Sequence, residues 1–130
     1  MAVKNTIEQR VVRAAETAFN EKQYVTAIDV LVTIGWLAPA HVDMWRQGRV
    51  DYLEREIQAN LVKISTAMKA FRRWAEERGL SPRETGYVAR RPDRRQLRFS
   101  KSGNPQIERH YRTHWISPES LSQNRLRGKP

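Results

Sequence analysis

Apolar residues recur at helical spacing through the first 78 positions of the chain and then change period. Ile7, Val11, Ala14, Ala15, Ala18 and Phe19 fall on one helical face. Thr6 and Gln9 precede that face at the spacing of a capping box, so the pattern predicts a first helix running to about Glu21. Thr26 and Asp29 repeat the signal, with Ile28, Leu31 and Val32 behind them. Gly35 is placed to end this second helix by adopting a left-handed conformation. Pro39 suits the first turn of a short third helix and Gly48 its end.

Asp51 and Glu54 open the longest pattern. Leu53, Ile57, Leu61, Ile64, Met68, Phe71 and Trp74 or Ala75 make an apolar stripe. It fits one helix over 52–78, or two helices meeting near 60–66 with Ser65 as the second cap. Gly79, Leu80 and Pro82 then stop the pattern.

Beyond Pro82 the alternation becomes twofold. The spacing predicts strands at 86–89, 96–100 and 109–116, joined by a turn at 90–95 with Pro92-Asp93 at its centre. Ser102-Gly103-Asn104-Pro105 reads as a breaker cluster between the last two strands. The expected architecture is α+β. A bundle of four or five N-terminal helices is followed by a small antiparallel three-stranded meander or hairpin, one face of which must pack on the helices to be stable. The length suits one domain over 1–117, with a disordered basic tail at 118–130.

Charge sharpens this picture. The 130-residue chain carries a net charge of +10 from 24 Lys+Arg and 14 Asp+Glu. Residues 1–71 hold nine of those cations against eight anions, and 72–130 hold 15 against six. Thirteen of the 15 are arginine, whose planar fork matches phosphate and stacks on bases. A localised arginine excess is the footprint of a polyanion binder. No apolar run approaches the roughly 18 residues of a membrane span. No secretory signal opens the chain, and cysteine is absent. A cytoplasmic location is therefore expected, with no membrane partner.

The candidate chemistry follows from the strand pattern. With Leu97, Phe99, Tyr111 and Trp115 facing the helices, Gln96, Arg98 and Ser100 lie on the outer side, as do His110, Arg112 and His114. Arg90, Arg91, Arg94 and Arg95 then crowd the hairpin tip, where they repel one another unless an anion is bound. Lys101 and Arg109 extend the basic surface. Facing outward instead, Tyr111 and Trp115 would stack on bases. Segment 26–47 loosely resembles a helix-turn-helix, with Val30, Ile34 and Met44 as its buried positions and Arg46 and Arg49 as its reading groups. The 86–100 hairpin would be the wing of a winged-helix variant, although the 52–78 stretch makes the spacing unusual. Trp36, Trp45 and Trp74 are expected in the core.

Glu108, His110 and His114 are the candidate catalytic residues. They are the residue types a metal-independent ribonuclease uses as base and acid, with Arg112, Arg98 and Lys101 to steady the phosphate charge. The plainer reading is that the histidines extend a polyanion-binding face. On a strand His110 and His114 stand about 13 Å apart, too far to share a metal ion. Only His41, Glu84 or Glu108 stand as further ligands, so no metal and no cofactor is expected. Walker, GxGxxG, GxSxG and HExxH motifs are all absent.

Three functions compete. The leading one is a non-enzymatic nucleic-acid binder, for DNA or RNA, whose basic C-terminal half grips phosphates. The second is the small ribonuclease or toxin-like enzyme. The third is a protein-interaction module, in which the 53–75 stripe seats a partner helix and the basic half meets an acidic protein. An apolar groove in the structure would favour the third.

Overall fold

A computed structural model describes residues 6–118; from residue 119 onward the expected basic tail lies outside the described residues. Helix α1 spans Ile7–Lys22. The Thr6 hydroxyl accepts the Gln9 N–H at 3.1 Å, and the Gln9 side chain accepts the Thr6 N–H at 3.3 Å. Val11, Ala14, Ala15 and Ala18 form its buried face. Gln23 is left-handed (φ 65°) and turns the chain into the two-residue strand β1, Tyr24–Val25. Helix α2, Ala27–Thr33, carries the same reciprocal cap through Thr26 and Asp29. Gly35 ends it at φ 88°, where the Trp36 N–H reaches back to the Leu31 carbonyl at 3.0 Å. Helix α3, Pro39–Arg46, begins on proline and stops before Gly48 at φ 78°.

The 52–78 stretch is not one helix. Leu53–Glu56 forms a single 3₁₀ turn, and helix α4 spans Leu61–Glu77. Its cap is Asn60, whose side chain accepts the Lys63 N–H at 2.9 Å, and not Ser65. The division has a tertiary cause. The Leu53 and Glu54 N–H groups donate to the Arg98 and Phe99 carbonyls at 3.1 and 2.8 Å. Leu53 and Ile57 are buried as the stripe requires, but Leu61 is 65% exposed.

The sheet is three-stranded and antiparallel, but it takes β1 from the N-terminal half and only its third strand from an expected one. Strand β2 is Ser81–Glu84, and strand β3 is Thr113–Ile116. The order is β1-β3-β2, with Val25 and Pro82 both opposite Trp115, and Arg83 opposite His114. The expected strand 109–116 is helical for its first half, because helix α5 spans Pro105–Arg112. Asn104 and Pro105, read as a breaker, are its cap and first residue. The Asn104 side chain accepts the Gln106 and Ile107 N–H groups at 2.9 and 3.2 Å.

The expected strands 86–89 and 96–100 shrink to one bridge, Val88 with Gln96. The Ala89 N–H meets the Arg95 carbonyl at 2.8 Å and the Leu97 N–H the Tyr87 carbonyl at 2.7 Å, but beyond Leu97 the ladder groups are engaged elsewhere. The Phe99 and Ser100 N–H groups donate to the Glu108 carboxylate, while the Arg98 and Phe99 carbonyls serve the 3₁₀ turn. Ser100, expected outside, is buried.

One apolar core runs from Val11 to Trp115. Leu97, Phe99, Tyr111 and Trp115 are in it, as their alternation indicates. Trp45 is its centre. It lies 4.9 Å from the Phe99 ring and 5.6 Å from that of Tyr87, and its indole N–H donates to the Arg98 carbonyl at 2.8 Å. Trp74 is buried too, donating to Glu16 at 2.7 Å, while Trp36 is half-buried against the core. No helix among the described residues is long and apolar enough to cross a membrane.

Candidate functional site

The 90–95 turn folds back onto the end of α3. The Arg90 N–H donates to the Arg46 carbonyl at 2.8 Å, and the Arg95 guanidinium donates to the Gly48 carbonyl. Gly48 makes this approach possible. A Cβ there would stand 2.8 Å from Arg91 Cδ and 3.1 Å from the Arg95 guanidinium. Two basic groups that are far apart in sequence therefore meet. Arg46 and Arg49 from the helix-turn-helix-like segment join Arg90, Arg91, Arg94 and Arg95 from the turn.

Of these six guanidinium groups, only that of Arg90 pairs with a carboxylate among the described residues, Asp43 at 3.5 Å with both ends exposed, while Asp93 within the turn accepts the Arg95 backbone N–H at 3.4 Å. Arginines elsewhere are matched: Arg55 with Asp51, Arg72 with Glu76, and Arg78 with Glu16. Arg46 lies over the Tyr87 ring at 5.0 Å, and its buried Nε–H has no hydrogen-bond partner. Arg94 is held at φ 46°, a left-handed conformation that costs a non-glycine residue about 1–2 kcal/mol.

The other four predicted binding residues do not join them. Arg98 donates to the Ser100 and Lys101 carbonyls and so pins its own loop. The Lys101 N–H is tied to Glu54 at 3.0 Å. Arg109 and Arg112 both pair with Glu84, at 3.4 and 3.3 Å. The helix-turn-helix reading also loses one of its buried positions. Val30 is buried and Ile34 half-buried, but Met44 is 38% exposed.

The three catalytic candidates are separated. Glu108 is buried, and its carboxylate accepts the Phe99 N–H at 3.0 Å, the Ser100 N–H at 2.6 Å and the Ser100 hydroxyl at 2.5 Å. His110 is exposed on α5, where burial together with Arg72 and Arg109 lowers its pKa. His114 lies on the outer face of β3. Burial lowers its pKa most, with Lys22 and Arg83 adding to this and Asp29 opposing it. Burial pushes the Tyr87 hydroxyl up to about 12, and that hydroxyl shares a hydrogen bond with His114 Nε2 at 2.7 Å. His114 Nδ1 shares a second hydrogen bond with Thr85 Oγ1 at 3.2 Å, so both ring nitrogens are engaged. Among the described residues no three His, Asp or Glu side chains come together as a metal site.

Two grooves open on opposite faces of the sheet, following the alternation of β3. Trp115 and Thr113 line a groove of about 710 Å³ between α4 and α5. Its floor is Ile64, Met68 and Phe71, and Lys69, Arg72 and His110 stand among its polar lining. His114 lines the second, more polar groove of about 480 Å³, which Arg46 and Arg90 also reach. Tyr24, exposed on β1, stacks near His114 with ring centres 6.3 Å apart. Sequence reasoning did not single out Tyr24 or Lys22; a lysine ending a helix and an aromatic in a two-residue strand carry no pattern of their own.

No protein-family model, curated protein or solved structure matches this chain.

Proposed function

We propose that this protein binds nucleic acid, gripping phosphates with the arginine surface formed by the end of α3 and the 90–95 turn. One observation carries the reading: six arginines from two distant segments meet, and only one of their guanidinium groups is ion-paired among the described residues. Such an arrangement is self-repulsive in isolation and gains free energy when a polyanion releases its counterions. Arg94 supports it further. A strained backbone position held by arginine, where glycine would be relaxed, indicates that the side chain has a use. The reading is of a binder and not an enzyme, since Glu108 is spent on the 99–100 loop while His110 and His114 line different grooves.

Charge reversal tests it. Arg91→Glu with Arg94→Glu changes two side chains that make no ion pair among the described residues. Most affinity for random-sequence DNA or RNA should vanish while the circular dichroism spectrum is retained. A folded double variant that binds normally places the interface elsewhere.

The groove between α4 and α5 favours a second reading, a protein-interaction module. Leu61 and Ile107 beside its apolar floor are 65% and 41% exposed. An amphipathic helix with acidic flanks suits that floor and its basic neighbours. It shares no residue with the arginine surface. Met68→Glu should abolish such docking and leave nucleic-acid binding intact.

A further inference from the structure

The second groove adjoins the arginine surface, and its charges are not in balance. Lys22, Arg46 and Arg90 line it together with Asp29 and Asp43. Lys22 is paired with Asp29 at 2.6 Å and Arg90 with Asp43 at 3.5 Å. Arg46 is the surplus cation, and it is also the one whose buried Nε–H lacks a partner. The half-buried Arg46 side chain thus gives the groove one cation that no carboxylate matches. Beside it is an aromatic wall. Tyr24 and His114 stack with their planes 20° apart, and the Tyr87 ring stands at 72° to His114. Tyr24 keeps 38% of its surface exposed although it sits in a sheet, and antiparallel pairing sets Arg83 on the same face as His114. A volume of about 480 Å³ falls within the range of small-ligand sites.

Resting on the reading above, we propose that this groove holds one unstacked base of a single-stranded nucleic acid. The base lies on the Tyr24–His114 wall, and its phosphate pairs with the unmatched Arg46 guanidinium. The Lys22 ammonium, 4.7 Å over the Tyr24 ring, is the group the base displaces. Its flexible stem lets it swing off the ring while it stays paired with Asp29. The adjoining arginine turn then carries the backbone on either side. A duplex, whose bases are already stacked and paired, gains only the arginine contacts. The protein therefore prefers single strands.

The test is anisotropy with short labelled single-stranded and duplex DNA of the same sequence, and with the matching single-stranded RNA. Wild type should bind single strands more tightly than duplex. Tyr24→Ala should weaken single-strand binding about tenfold, the scale of one base–aromatic stack, with duplex binding unchanged. Tyr24→Phe, which keeps the ring, should bind like wild type. Unchanged duplex binding doubles as the folding control. Should Tyr24→Ala lose both, Tyr24→Leu, which keeps apolar cover without a π-face, decides in the same way. Equal affinity for duplex and single strand, or full single-strand affinity in the leucine or alanine variant, overturns the base site and leaves the arginine surface standing. Binding of neither form by wild type overturns both.

Discussion

Glu108 shows how far a single residue's role can depart from its chemical type. Read as a candidate base, it is instead a buried carboxylate that satisfies two backbone N–H groups and a hydroxyl from the 99–100 loop. Glu108→Ala leaves those donors buried without partners, at about 1–3 kcal/mol each. Chemical denaturation should show a loss of about 3 kcal/mol or more, and a smaller loss would mean the loop finds other acceptors. Arg94 makes the opposite prediction. Arg94→Gly relieves a left-handed arginine, so the melting temperature should not fall, while nucleic-acid affinity should. A lower melting temperature would show that the side chain serves the fold. The histidines set the pH response. Both have pKa values below their ordinary 6.5 in the folded protein, so between those values and about 6.5 the unfolded chain binds more protons. Stability is therefore full above about pH 6.5 and declines as the pH falls through the folded values. Thermal midpoints from pH 7.5 to 5.5 should fall, and His114→Gln should flatten the slope. An unchanged slope in that variant would remove His114 from the account.

At the scale of elements, what was legible in the sequence was local. The caps at Thr6 and Thr26 and the stops at Gly35, Gly48 and Gly79 are each decided within a few residues, and all stand where the pattern puts them. Two of the failures have long-range causes. The 53–57 turn and the 96–100 segment each had a plausible regular form, but they hydrogen-bond to each other, and the 96–100 segment also to Glu108. Residues 109–116 alternate like a strand, yet Asn104-Pro105 starts a helix that runs to Arg112. The alternation still placed Tyr111 and Trp115 correctly inside, because both geometries bury them. Gly48 joins element to function. Gly48→Ala would force a Cβ onto Arg91 and strain a φ of 78°. It should cost about 1–2 kcal/mol in stability and also weaken binding, by pushing the 90–95 turn off α3. Normal binding by a folded Gly48→Ala would separate the turn's position from its function.

For the whole molecule, the decisive fact is sidedness. The sequence located the positive charge in the C-terminal half but could not show that Arg109 and Arg112 are matched by Glu84 while the 90–95 arginines meet Arg46 and Arg49. That sorting depends on tertiary packing around Gly48, which no spacing rule encodes. The result is a surface of largely unmatched arginine next to a polar groove, with the apolar groove on the other face of the sheet. The measurement that tests this most directly is anisotropy of random-sequence single- and double-stranded DNA and RNA with the wild-type protein across a salt series. The arginine surface predicts binding at low salt whose logarithm falls linearly with the logarithm of salt concentration. The slope should be several units, about 0.7–0.9 for each phosphate neutralised. No binding at low salt, or binding indifferent to salt, would contradict it and make the arginine turn a docking site for an acidic protein.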